Sequence, residues 1–234
     1  MNTKNLLSVV IPVYNEEAVI YELYQRLSQV LSNISDKYNY EIIFINDGST
    51  DNTRKQLHPI TEEDSLVRII NLSRNFGHQI AVTAGIDYAK GDVVIIIDAD
   101  LQDPPELIPE MLNKWEEGYQ VVHAVRKSRK GESKFKLYTA NIFYRLINQL
   151  SDISLPVDSG DFKLIDHQIA EILRNMKEES RYIRGLISWT GFSQCSVYYE
   201  RDKRYAGETK YNVTKMLKFA LDAISSFSEK PLNL

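Results

Sequence analysis

Residues 92–103 read DVVIIIDADLQD, an apolar run closed by acids from which the architecture follows. Val93 to Ile97 are five β-branched residues in a row with an acid on either side. A short run of this kind suits a strand buried on both faces of a parallel sheet, and it is far below the roughly 20 residues that a bilayer span needs. The strand is expected to end in Asp98, Ala99, Asp100, Leu101 and Gln102. In open α/β sheets ligands bind outside the carboxyl ends of the strands, so this acidic end is the first place to look for chemistry.

The same pattern repeats on both sides. LLSVVIPVY, Leu6 to Tyr14, reads as a first strand. The helix after it carries Val19, Leu23, Leu27 and Val30 on one face, the spacing of a helix packed on a sheet. EIIFIND from Glu41, VRIINL from Val67 and a run at Gln120 to Val125 read as further strands, with helices near Asp51 to Leu57, His78 to Ala89 and after Pro105. Strands alternating with helices predict βαβ units and a mostly parallel sheet. The second half predicts a basic, aromatic helix over Lys134 to Leu150 and a strand near Phe162 to Ile165. It then predicts a helix over Asp166 to Met176, a strand over Phe192 to Tyr199 and a last helix from Asn212 to Phe227. No linker or repeat divides the 234 residues, so one α/β domain is expected.

Composition narrows the function classes. Apolar residues make up 43% and charged residues 26%, which excludes a disordered or collagenous chain. Twenty-eight basic against 32 acidic residues give a net charge of −4 and no global drive toward nucleic acid. A lone cysteine, Cys195, cannot close an internal disulfide, and no secretory signal is visible. Neither G-x-G-x-x-G nor a P-loop occurs among the ten glycines, and none of the four histidines lies in H-E-x-x-H.

Three strand ends collect polar residues: Pro12 to Glu16, Asn46 to Ser49 and Asp98 to Asp103. Singly, Asp47 or Asp100 suits a turn or a helix cap; together on one sheet edge they suit a ligand site. Extended geometry through the end of the strand puts Asp98 and Asp100 on one side. Such hard oxygen donors, with Gln102, suit Mg²⁺ or Mn²⁺ beside a diphosphate.

VVIPVYNEE, INDGSTDNT, NLSRNFGHQIAVTAGIDYAKGD and IIIDADLQDPPELIP resemble the donor half of an inverting family 2 glycosyltransferase of GT-A fold. VRKSRKGESKFK, PVDSGDFKLID, ESRYIRGLISWTGF and RYAGETKYNVTKM narrow the resemblance to the polyprenyl-phosphate type, the bactoprenol glucosyltransferase and dolichol-phosphate mannosyltransferase group. The resemblance implies a Rossmann-like, mostly parallel sheet in a single domain, with a nucleotide-sugar half over residues 1–125 and an acceptor half over 126–234. It implies that Pro12, Tyr14 and Glu16 frame uracil and ribose, that Asp47 reads the base, and that Asp98 lies near ribose and metal. Asp100 and Gln102 would hold the ion on the diphosphate. Arg201, Arg204 and Lys210 belong to a loop that would close over it. Relatives of this type continue past SSFSEKPLNL into two membrane helices that this sequence lacks, implying either a truncated piece or a short member.

The stretch Val125 to Lys136 holds six basic residues against Glu132 alone. It suits either a solvated helix face or a phosphate cradle at an anionic membrane surface. Arg126, Arg129, Ser133 and Lys134 are the acceptor-phosphate candidates. Asp158 is implied as base or acceptor-orienting residue, with Asp161 as the alternative. A phosphate nucleophile with a second pKa near 6 is already ionised at neutral pH, so a strong base is not essential. The expected reaction moves a hexose from a UDP-sugar to polyprenyl phosphate at the cytoplasmic membrane face, with Mg²⁺ or Mn²⁺ and no nucleic acid; a homo-oligomer stays open. The alternatives are transfer to a saccharide hydroxyl and a silent nucleotide-sugar-binding module. His78 suits a helix N-terminus as well as a donor contact, and Trp189 is expected to be buried in a strand-rich segment.

Overall fold

A computed structural model describes residues 4–127, 159–178 and 181–200. Seven strands form one sheet: β1 (Asn5–Val13), β2 (Tyr38–Asn46), β3 (Val67–Asn71), β4 (Val93–Ile96), β5 (Val121–Arg126), β6 (Ser159–Asp166) and β7 (Gln194–Tyr199). Their order is β3-β2-β1-β4-β6-β5-β7. Every neighbouring pair is parallel except the two made by β6, which runs antiparallel to β4 and β5. Among the described residues six α-helices cover the sheet: α1 (Ile20–Ile34), α2 (Thr53–Glu63), α3 (His78–Tyr88), α4 (Ile108–Glu116), α5 (His167–Asn175) and α6 (Ile183–Trp189).

Alternation along β1 explains its unbroken apolar sequence. Leu7, Val9 and Ile11 face a core built with Leu23 and Leu27 of α1 and Met111 of α4. Val10 faces the opposite core, with Ala81 and Ile86 of α3, Ile169 of α5 and Ile187 of α6. A strand covered on both faces has no solvent side to mark with polar residues. Gly85 lets α3 sit down on the sheet, since a Cβ there would lie 2.1 Å from Cγ1 of Val10.

The chain leaves β1 by α1 toward β2, and returns from β3 by α3 to β4 on the other side of β1. The topological switch point therefore lies between the carboxyl ends of β1 and β4. Pairing of β1 with β4 ends at Val10 and Ile96, followed by a bond from Ile97 N–H to Val10 O. Pairing with β2 continues to Val13. Pro12 falls where β1 has lost its β4 partner, so its missing N–H breaks no ladder there.

The expected first-half elements are all present within a few residues. Two differences stand out in the second half. Residues 183–189 form α6, where a strand-rich segment was expected, and Trp189 at its end is 61% exposed rather than buried. The helices expected at 134–150 and 212–227 lie outside the described residues. No helix among the described residues is long and apolar enough to cross a membrane.

Candidate active site

Reciprocal hydrogen bonds weld the loops after β1 and β2. Asn15 N–H donates to Ser49 Oγ at 3.0 Å, and Thr50 N–H returns a 2.8 Å bond to Asn15 Oδ1. Glu16 N–H donates to Thr53 Oγ1 at 2.8 Å, and Asn52 N–H donates to Glu17 Oε2 at 2.8 Å. Asn15 takes φ 53°, a left-handed conformation that asparagine tolerates better than most residues. Tyr14 and Glu16, both half-buried, are thus carried on a braced loop beside the switch point, while Pro12 is buried in β1.

Asp47 turns out to organise a third loop. Its carboxylate accepts from Phe76 N–H at 2.7 Å, Gly77 N–H at 2.9 Å and Asn75 Nδ2 at 3.0 Å, and the residue is only 3% exposed. Gly48 beside it adopts φ +66°, and a Cβ there would lie 2.3 Å from the Arg74 carbonyl carbon. Only glycine allows the loop so close. The loop presents Phe76, 41% exposed, with the Arg74 guanidinium stacked 3.9 Å from its ring centre. The expectation that Asp47 reads a base is thus joined by a shaping role that the sequence did not reveal.

The extended run of β4 ends at Ile96, so simple alternation does not govern Asp98 and Asp100. The chain turns instead at Leu101, which is buried with φ 57° between half-buried Asp100 and Gln102. Gln102 N–H donates to Asp100 Oδ1 at 3.1 Å. Asp103 is buried, accepts from the Tyr199 hydroxyl and lies 3.5 Å from Arg126. Burial pushes its carboxyl above the usual range; Asp98 and Asp100 add repulsion, against the opposing pull of Tyr199 and Arg126. Asp98 and Asp100, half-buried on this loop, offer hard oxygen donors of the kind a divalent cation takes, while Asp103 is turned inward to Tyr199 and Arg126.

Asp98 also belongs to a second group. His78, at the start of α3, brings Nε2 to 2.8 Å from Asp98 Oδ1 and Nδ1 to 3.9 Å from Asp161 Oδ2. Burial opposes the imidazolium, but Asp98 and Asp161 outweigh it and push the pKa up to about 9. Asp161, on β6, is forked by Arg184 of α6 with two bonds of 2.6 Å. Burial would raise its pKa, yet Arg184 and His78 hold it far below the usual carboxylate range. A carboxylate so held is a poor proton acceptor, which weighs against Asp161 as the alternative base. Donor atoms of His78, Asp98 and Asp161 lie within 4.8 Å of one another, a spacing a metal could use. Arg184 already occupies both oxygens of Asp161, and the Lys163 ammonium adds further positive charge nearby. These cations compete with any ion for Asp161.

Asp158, Arg129, Ser133, Lys134, Arg201, Arg204 and Lys210 lie outside the described residues. Arg126 is described: besides Asp103 it meets the Tyr199 hydroxyl, with Nε donating at 3.3 Å. It stands against the acidic loop after β4. Trp189 lies at the opposite end of the sheet, in a groove with Ile172, Met176 and Phe192.

A sheet of this order places a ligand crevice of the doubly wound α/β class at the carboxyl ends of β1 and β4, lined here by acidic residues. The profile of Glycosyl transferase family 2 matches residues 8–173, and the chain belongs to that family. It is 55% identical over 227 residues to an uncharacterized glycosyltransferase of Bacillus subtilis, YkcC, covering 97% of this chain and 70% of that protein. It is 39% identical to the bactoprenol glucosyl transferase of Shigella phage SfV, covering 97% and 74%. Among solved structures, glucosyl-3-phosphoglycerate synthase from Mycobacterium tuberculosis, in complex with Mn²⁺, UDP and phosphoglyceric acid, superposes with a TM-score of 0.59 at 18% identity, covering 95% of this chain and 77% of that one. A mannosyltransferase from Pyrobaculum calidifontis with GDP-mannose and Mn²⁺ gives 0.62 at 18% identity, covering 88% and 59%. The fold is thus of the GT-A kind, and the chain is a glycosyltransferase.

Proposed function

We propose that this glycosyltransferase moves a hexose, glucose in the first instance, from a UDP-sugar to a polyprenyl phosphate with inversion, close to a membrane surface. The observation that carries the reading is the acidic loop after β4, with half-buried Asp98 and Asp100, at the switch point beside two braced loops. The bactoprenol transferases at about 40% identity support the acceptor. Structures holding UDP and Mn²⁺ on this fold support the donor and the ion.

In this reading the residues up to 125 bind the donor, and those from 126 onward serve the acceptor. Tyr14 and Glu16 frame the nucleoside, the Asp47 loop flanks the base, and Asp98, Asp100 and Gln102 would hold Mg²⁺ or Mn²⁺. That ion, when bound, neutralises charge developing on the leaving diphosphate. Arg201, Arg204 and Lys210 add charge there, while Arg126, Arg129, Ser133 and Lys134 hold the attacking phosphate. Because that phosphate is ionised at neutral pH, Asp158 serves to orient it more than to deprotonate it. Catalysis is then chiefly positioning and charge stabilisation.

The deciding experiment is transfer of radiolabelled sugar from a panel of UDP-sugars and GDP-mannose, with undecaprenyl phosphate as acceptor and extraction into organic solvent as the readout. Label from UDP-glucose should enter the organic phase only when the lipid phosphate is present. Transfer solely to water-soluble saccharides would replace this acceptor with a hydroxyl, and absence of any donor turnover would leave a binding module.

A further inference from the structure

His78 was the residue that the sequence left undecided, and its surroundings define a task for it. It is the first residue of α3, yet its imidazole reaches across to the loop after β4 and donates from Nε2 to Asp98 Oδ1 at 2.8 Å. Its other nitrogen faces Gln79, whose Nε2 lies 3.3 Å from Nδ1. The Gln79 amide is itself oriented from outside. Ile183, the first residue of α6, donates its backbone N–H to Gln79 Oε1 at 2.9 Å, so the amide nitrogen must turn toward the imidazole. Arg184, next in the chain, holds Asp161 alongside at 3.9 Å from Nδ1.

Every partner of Nδ1 leaves the hydrogen of Nε2 in place. A neutral ring accepting from Gln79 carries its proton on Nε2, and a charged ring facing Asp161 carries one there as well. The bond to Asp98 is therefore the same in both forms.

We propose that His78 is the positioning residue for Asp98: seated between Asp98 and Asp161, with Gln79 able to donate to Nδ1 only of the neutral ring, it engages Oδ1 and so leaves Oδ2 for the nucleotide-sugar donor and its ion. An aspartate on a loop can rotate about χ1 and χ2, and a carboxylate anchored on one oxygen keeps only one orientation. Partners of this sort behind a metal-binding or ligand-binding carboxylate are commonly worth 10- to 100-fold in affinity or activity. Helix α6, from the second half of the chain, reaches this first-half group through Arg184, which holds Asp161 beside the imidazole.

The inference rests on the donor reading of Asp98, and the test separates the two. UDP binding in the presence of Mn²⁺ is measured by calorimetry on the wild type, H78A, H78Q and H78N. The wild type should bind. H78A should lose 10- to 100-fold, H78Q should recover most of that loss because its amide N–H reaches near the Nε2 position, and H78N, one methylene shorter, should not. In the transfer assay the same order should appear in the donor KM, with the acceptor KM unmoved. If H78A fails to fold, the H78Q and H78N comparison decides. NMR of the wild-type imidazole should also show a slowly exchanging Nε2–H whose resonance moves in D98N. Equal UDP affinity in all four proteins overturns the His78 assignment alone. A wild type that binds no UDP overturns the donor reading, and the His78 assignment with it.

Discussion

Arg184 grips Asp161 with two parallel bonds of 2.6 Å, Nε to Oδ1 and Nη2 to Oδ2. The pair ties α6 to β6 across the face of the sheet that α3 also covers. Its geometry is the bidentate fork that arginine makes and lysine cannot. Held this way, Asp161 is placed as a fixed anion, an arrangement the spacing V-D-S-G-D-F does not distinguish from that of a base.

Breaking that pair should be costly, because the Asp161 side chain is 12% exposed and would keep only the more distant His78 and Lys163 to offset its charge. Arg184→Ala is expected to lower stability by about 3 to 5 kcal/mol in urea unfolding, and Arg184→Lys should recover only part of it. Asp161 should contribute no limb to the kcat/KM profile between pH 5 and 8. A limb there that vanishes in Asp161→Asn would restore it as a base.

His123 makes a pH prediction with a definite sign. It is 3% exposed, burial and the nearby Lys163 ammonium push its pKa down to about 4, and only the Gln194 bond opposes them. The unfolded chain takes up this proton near pH 6.5, whereas the folded chain does not until about pH 4. Stability is therefore intact above pH 6.5 and falls as pH drops toward 4, by up to about 3 kcal/mol from this group. Thermal melts across that window should show a shallower acid loss in His123→Gln than in the wild type. Parallel curves would remove the effect.

Strands announced themselves where a buried run had nowhere to hide, as in Val93 to Ile97, and the strand-end loops followed from them. What stayed illegible was long-range pairing. Nothing local says that β6 runs antiparallel, or that His78, Asp98, Asp161 and Arg184 meet from four separate elements. Lys163 shows the same limit: between buried Phe162 and Leu164 the alternation turns it to the other face, and the sequence does not tell that the acidic group and helices buried it there. Helix α6 was missed because it is seven residues long with Gly185 inside, too short for periodicity to show. The shaping role of Asp47 depends on backbone N–H groups, which no sequence pattern displays.

Asp47→Asn tests that role. The substitution replaces one acceptor oxygen with an amide donor facing the N–H groups of Phe76 or Gly77, or the Asn75 amide. Loss of a charge-assisted bond and a donor facing a donor should cost about 2 to 3 kcal/mol of stability. UDP affinity should fall with it if the loop flanks the base. Unchanged melting would show that the loop holds its shape without Asp47.

The ion is tested at Asp100. Asp100→Asn should weaken Mn²⁺-dependent UDP binding sharply, and chelator should abolish transfer by the wild type until Mg²⁺ or Mn²⁺ is restored. Full transfer in excess EDTA would exclude the ion from the reaction. Because Asp98 and Asp100 repel Asp103, the same substitution should also relax the raised pKa of Asp103 toward the usual carboxylate range.

Arg126 gives the sharpest test of the division between donor and acceptor. As an acceptor-phosphate residue alone, its loss would spare UDP binding. Its place argues otherwise: it lies 3.5 Å from Asp103 and donates to the Tyr199 hydroxyl, and Tyr199 in turn holds Asp103. Removing it leaves a buried aspartate, already pushed up by burial, with one cation fewer. Arg126→Ala should therefore weaken UDP binding with Mn²⁺ as well as transfer, whereas Arg129→Ala should act on the acceptor alone. A charge-assisted contact is typically worth about 1.5 to 3 kcal/mol, or roughly 10- to 150-fold, so calorimetry resolves the difference easily. Arg126→Lys should restore charge toward Asp103 but only part of the phosphate contact, since a point charge lacks the two-pronged geometry. Donor affinity should then recover further than acceptor KM. If UDP binds Arg126→Ala as tightly as wild type while acceptor KM rises, Arg126 serves the lipid phosphate only, and its contact with Asp103 merely stores it beside the site.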